Sequence, residues 1–143
     1  MWREKLLSLE AGVTFSDPAR SDQVQEIERA LALGVPTDLA ELLRESDGVS
    51  DRYGAGLVWS ASRIVRDNLT FRSSADFARI YMPFDALLFF ADAGNGDQFA
   101  FPITAAGTGA DVFVWDHEDD SRRWYAGSLD QYLAWWLSGD HPL

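Results

Sequence analysis

"FFADAGNGDQFAF", residues 89–101, decides how this chain folds. Two aromatic runs flank a stretch of glycine, asparagine and aspartate. Asn95-Gly96 is the strongest short hairpin signal, because a two-residue type I′ loop needs positive φ at both central positions. Centring the loop there sets a register. Asp92 faces Phe99, Phe90 faces Phe101 and Leu88 faces Ile103. One side then carries Leu88, Phe90, Phe99, Phe101 and Ile103. The other has Ala91 opposite Ala100 and Phe89 opposite Pro102, leaving space for a helix to approach. A slip by one residue would scatter the large side chains over both faces. The expectation is an antiparallel pair, 87–91 with 98–103, in which Asn95, Gly96 and Asp97 serve the turn.

Chemical readings of the same stretch fare worse. An EF-hand loop starting at Asp92 would have Gly94 and Gly96 at two ligand positions. Gly94-Asn95-Gly96 lacks the third glycine of a dinucleotide fingerprint, and no helix follows it. Asp92 and Asp97 lie diagonally on one face in this register. Two carboxylates alone are too few ligands for Ca²⁺.

Working outward, residues 2–10 suit a short amphipathic helix with Trp2, Leu6 and Leu9 near one face. A second helix starts at Ser21 or Asp22, with Asp22 and Gln25 spaced as a capping box, and Gly34 as its stop. Pro36 suits the first turn of a third helix, buried through Leu39, Leu42 and Leu43. "GLVWS" (56–60) reads as a strand, while "SRIVRDN" is open between a strand and a helical turn. "SSADFARIY" (73–81) reads as a helix capped by Ser74, with Phe77, Ile80 and Tyr81 as its apolar patch. "ALLFFAD", "QFAFPI", "DVFVWD" and "SRRWYAG" read as strands. A last helix opens at Ser128 with Gln131 three residues on, buries Leu129, Tyr132, Leu133, Trp136 and Leu137, and closes at Gly139. Helices first, consecutive strands later and a closing helix predict one α+β domain over 1–143. Its central sheet is mainly antiparallel, with a mixed sheet as the alternative.

Composition narrows the function. The 143 residues are 47% hydrophobic and 13% aromatic, enough for a dense core. With no cysteine there is no disulfide, thiolate metal site or cysteine nucleophile. No apolar run approaches the roughly 20 residues of a spanning helix, and "MWREKLLSLE" lacks a secretory core. The chain is expected to be cytoplasmic, with no membrane partner. A net charge of −11 disfavours nucleic acid and attracts basic partners, although acidity also serves plain solubility.

"WDHEDDSRRW" (115–124) is the most charged stretch. His117-Glu118 begins like a zinc-protease helix, but Ser121 stands where the second histidine belongs. Neither His117 nor His141 has a nucleophile motif beside it. No catalytic residue, metal site or cofactor is expected. Asp116, Glu118, Asp119 and Asp120 read either as a solvated loop or as a negative hook for a basic protein. Asp47, Asp51 and exposed aromatics are weaker partner-binding candidates. Of Trp135 and Trp136, adjacent on a helix, one is expected to be partly exposed.

In order along the chain, five stretches resemble the SUKH superfamily, the Smi/Knr-like group. They are "IERALALGVPTDLAELLRESDGV" (27–49), "LVWS" with "RIVRDN", "MPFDALLFFADAGNGDQFAF", "DVFVWDHEDDSR" and "SLDQYLAWWL". The resemblance covers roughly 23–138 and leaves "MWREKLLSLE" and Trp136 unmatched. It implies an α+β domain with a sheet flanked by helices, and binding rather than catalysis. Many bacterial members neutralise toxins, often nucleases, while the yeast member is a cell-wall regulator. The resemblance therefore implies an immunity protein for a basic toxin domain, or a regulatory or scaffold module.

Overall fold

The computed structural model describes residues 1–139. His141 lies outside the described residues. In chain order the elements are α1 (Trp2–Leu9), β1 (Thr14–Phe15), α2 (Ser21–Leu31), α3 (Thr37–Glu45), β2 (Val49–Ser50), β3 (Gly56–Val58), α4 (Ala61–Ser73) and α5 (Ala75–Ile80). There follow β4 (Leu87–Asp92), β5 (Gln98–Thr104), β6 (Gly107–Thr108), β7 (Val112–Trp115), β8 (Arg122–Ala126) and α6 (Leu129–Ser138). Strands β1-β2-β3 form one sheet; β4-β5-β7-β8 form the other, with β6 on β5. Every pairing is antiparallel, so the α+β expectation holds and the mixed alternative falls.

The expected hairpin forms, but in a different register. The Ala93 amide donates to the Asp97 carbonyl (2.9 Å), so Gly94, Asn95 and Gly96 make a three-residue loop. Gly94 and Gly96 take positive φ (93° and 97°); Asn95 does not. The Asn95 side chain instead accepts from the Asp97 amide (3.0 Å). Asp92 therefore pairs with Gln98 and Ala91 with Phe99, and beyond an irregularity at Phe90, Phe89 pairs with Ala100 and Leu88 with Phe101. The bulged residue restores the hydrophobic grouping that the longer loop would have broken. Phe90 stacks on Phe101 at 4.3 Å, and Phe90 and Phe99 both meet Tyr132 of α6. Phe89 faces the other way, among Phe71, Phe84 and Trp115.

The undecided "SRIVRDN" is the first half of α4. Ser60 caps it by accepting from the Arg63 amide (3.3 Å), and Ile64 and Asn68, four apart, point inward. Asn68 is fully buried. It donates to the Phe89 carbonyl and accepts from the Phe89 amide, both at 2.9 Å. One side-chain amide thus does for β4 what a neighbouring strand would do, because an amide carries the same donor and acceptor as a peptide unit.

Three helix ends differ from expectation. The Arg20 amide donates to Gln23 Oε1 (2.8 Å), so Arg20 rather than Asp22 caps α2; Asp22 pairs with the Arg20 guanidinium instead. Ala32 (φ 54°), not Gly34, takes the left-handed position after α2. In α6, Ser128 Oγ accepts from the Gln131 amide as expected, while Gln131 Oε1 accepts from Gly127 rather than closing a box on Ser128. Gly139 (φ 81°) ends the helix as foreseen. Tyr132, buried in α6, donates its hydroxyl to the Leu57 carbonyl (2.8 Å) and ties β3 to the helix under the larger sheet. Helices and both sheets share one hydrophobic core.

Candidate functional site

The acidic stretch forms the turn from β7 to β8. The Asp116 amide donates to the Ser121 carbonyl (2.9 Å) and the Asp120 amide to the Asp116 carbonyl (2.8 Å), closing the turn. Asp116 Oδ1 accepts from the Glu118 amide and Asp119 Oδ1 from the Ser121 amide, both at 2.9 Å. Short acidic side chains fold back on nearby amides in this way and fix a turn without a regular ladder.

Asp120 does something else. It adopts a left-handed φ of 60° and points inward, its side chain only 13% exposed. Oδ1 accepts from the Trp115 indole (2.7 Å) and the Arg122 guanidinium (3.0 Å); Oδ2 accepts from the Met82 amide (2.8 Å). Burial pushes its carboxyl up, but these donors outweigh burial and hold it below the usual carboxylate range. Arg122 also donates to the carbonyls of Met82 and Pro83, and the Tyr81 hydroxyl donates to the His117 carbonyl (2.7 Å). The segment after α5 is thereby fastened to the acidic turn.

His117 fastens the other side. Its Nδ1 lies 2.6 Å from Asp97 Oδ1, and its amide donates to the same oxygen (3.0 Å). The hydrogen bond to Asp97 raises the imidazole above its ordinary value. The ring lies over Gly96, where an added Cβ would meet it at 2.9 Å. Asp97, Asp116 and His117 place ligand atoms within 4.8 Å of one another. A cation there would compete with the hydrogen bond that joins the two turns. Asp92 takes no part: it pairs with Arg63 (3.1 Å), which lies over the Trp59 ring.

The named acidic residues therefore have different duties. Glu118 and Asp119 are exposed at the tip, and Asp116 is partly covered beside them. Asp120 is occupied as a strut. Asp47 accepts from the Ala61 amide (2.8 Å) at the start of α4, and Asp51 accepts from the amides of Tyr53 and Ala55 in its own turn. Among exposed aromatics, Tyr53 stands beside Asp51, and Trp124 on β8 is 54% exposed, resting on Trp135. Trp135 and Trp136 are both partly buried, so the outward tryptophan is on the strand and not on the helix.

Sequence reasoning missed the apolar neighbours of the turn. Ile80 (66% exposed) and Met82 (60% exposed) stand out from the segment that Asp120 and Arg122 hold. Ile80 looked like core because it lies three residues after Phe77, but α5 is only six residues long and turns only Phe77 and Tyr81 toward the aromatic cluster. The readable signal was "IYMPF": five largely apolar residues ending a short helix cannot all be buried.

No helix among the described residues is long and apolar enough to cross a membrane. No curated protein matches this chain. Residues 21–133 match the SUKH family model described as SMI1-KNR4 cell-wall, a span that begins at α2 and ends inside α6. It takes in both sheets' main strands, the Asn68 clasp and the acidic turn, and agrees with the resemblance drawn from the five sequence stretches; the chain belongs to the SMI1-KNR4 (SUKH) family.

Proposed function

We propose that this protein is a non-enzymatic, cytoplasmic binding module of the immunity type, which neutralises a basic bacterial toxin domain by docking on it through the β7–β8 turn. The observation that carries the reading is the exposure of Glu118 and Asp119 at the tip of a turn that the Asp116 and Asp120 carboxylates brace from within. A charged tip fixed in this way loses little conformational freedom on binding, and a chain of net charge −11 draws a cationic partner toward it. The test is association kinetics with the product of the adjacent gene, at low and high salt. Glu118→Lys with Asp119→Lys slows association and flattens its salt dependence. Unchanged rate and salt slope would reduce the turn to a solvated loop and remove the main physical support for this reading.

The cell-wall description of the family favours a second reading, a regulatory or scaffold module that binds cellular proteins. The adjacent gene separates the two. A large secreted protein with a C-terminal toxin domain supports immunity, and its absence supports the regulator.

A further inference from the structure

Beside the acidic turn, α4, α5 and the following segment enclose a groove of about 240 Å³. Its rings are Phe71, Phe77, Tyr81 and Phe84, packed edge to face or tilted at 5.2–6.2 Å. Met82, more than half exposed, lines the groove beside these rings. Arg72 also lines the groove, but its guanidinium is engaged, with Nη1 and Nη2 donating to the carbonyls of Leu31 and Leu87. Asp85 on the lining is exposed, and Glu118 and Asp119 are held near by the bond from the Met82 amide to Asp120. An apolar groove is thus bordered by outward carboxylates.

We infer that this groove and the acidic turn form one docking surface, whose occupant is a partner segment carrying a large apolar side chain flanked by lysine or arginine. The inference rests on the binding reading above and specifies the partner's chemistry. The groove is smaller than the roughly 300 Å³ at which small-ligand clefts begin, and suits an anchoring side chain. Anchors of this kind supply most of the affinity of an interface, while peripheral charges set rate and specificity. The carboxylates fit a basic flank and repel nucleic acid and anionic lipid.

The experiment uses two charge-matched peptides with the full-length protein. One is acetyl-Lys-Lys-Gly-Leu-Phe-Gly-Lys-Lys-amide; its twin has alanine for leucine and phenylalanine. Binding is followed by NMR at the Met82 methyl and at the Glu118 and Asp119 amides. The first peptide shifts both sets with one Kd, and the twin binds about tenfold more weakly, the loss expected from one buried apolar anchor. Met82→Ser, at an exposed position on the lining, weakens the first peptide toward the level of its twin without lowering Tm. Equal binding of the two peptides, with shifts confined to Glu118 and Asp119, overturns the groove and leaves the acidic-turn reading standing. Absence of shifts at both sets up to millimolar peptide overturns both.

Discussion

At the scale of single residues, Gly96 shows how two constraints meet at one position. Its φ of 97° is hostile to any side chain, and the His117 ring occupies the place of a Cβ. Gly94, with φ 93°, has nothing within 4 Å of its Cβ position. Gly96→Val is expected to cost about 2 kcal/mol or more, from left-handed strain and the displaced ring, and Gly94→Val to cost less, from strain alone. Urea denaturation of both variants checks this. Equal losses would mean that the ring moves aside freely and that only backbone strain matters. The need for glycine at 96 was readable from Asn95-Gly96. The reason Asn95 escapes positive φ was not, because loop length depends on how the bulge at Phe90 lets both aromatic strands keep their faces.

At the scale of elements, the Asp97–His117 pair joins the β4–β5 loop to the β7–β8 turn, twenty residues apart in sequence. The folded-state pKa of His117 is raised, chiefly by the Asp97 hydrogen bond. A group raised in this way favours the fold while it is protonated. Its contribution is full below the ordinary value of about 6.5 and is lost as pH climbs through the folded value. NMR titration of His117, in a His141→Gln background to isolate the signal, should give a midpoint above about 6.5. Asp97→Asn should bring that midpoint down. An unmoved midpoint would mean that the two turns are not electrostatically joined. Elements were the most legible level of this chain: most long helices and main strands follow from apolar periodicity, and Ser74 and Ser128 cap where expected, while Ser60, read as the end of a strand, caps α4 instead. The two-residue strands β1, β2 and β6 are too short to carry any period. Helix α4 was ambiguous because its inward face includes Asn68, a polar residue that breaks the apolar pattern precedent to its partner being known.

At the scale of the whole molecule, the sequence located the acidic turn but could not separate its members. Asp120 and Glu118 look alike in a string of carboxylates. Only the fold reveals that one is fastened to Trp115, Met82 and Arg122 while the other faces outward. That division depends on long-range contact between α5's end and β7, which no local pattern encodes. A surplus of negative charge opposes association between copies of the chain. It does not by itself protect "LLFFA" (87–91), an uncharged, strongly apolar run whose five residues are all buried. Asn68, whose amide fills the donor and acceptor of Phe89, is central to the protection, beside the Arg72 bond to the Leu87 carbonyl and the Trp59 amide on the Phe90 carbonyl. Asn68→Ala is expected to lower stability by about 2–4 kcal/mol, since a buried amide and carbonyl both lose their partners. The larger consequence is kinetic and collective: an opened strand of this composition is a template for other chains, so the variant should form thioflavin-positive fibrils at concentrations where the parent stays monomeric. Loss of stability without any rise in fibril formation would show that the helix body, rather than the single amide, is the guard against self-association.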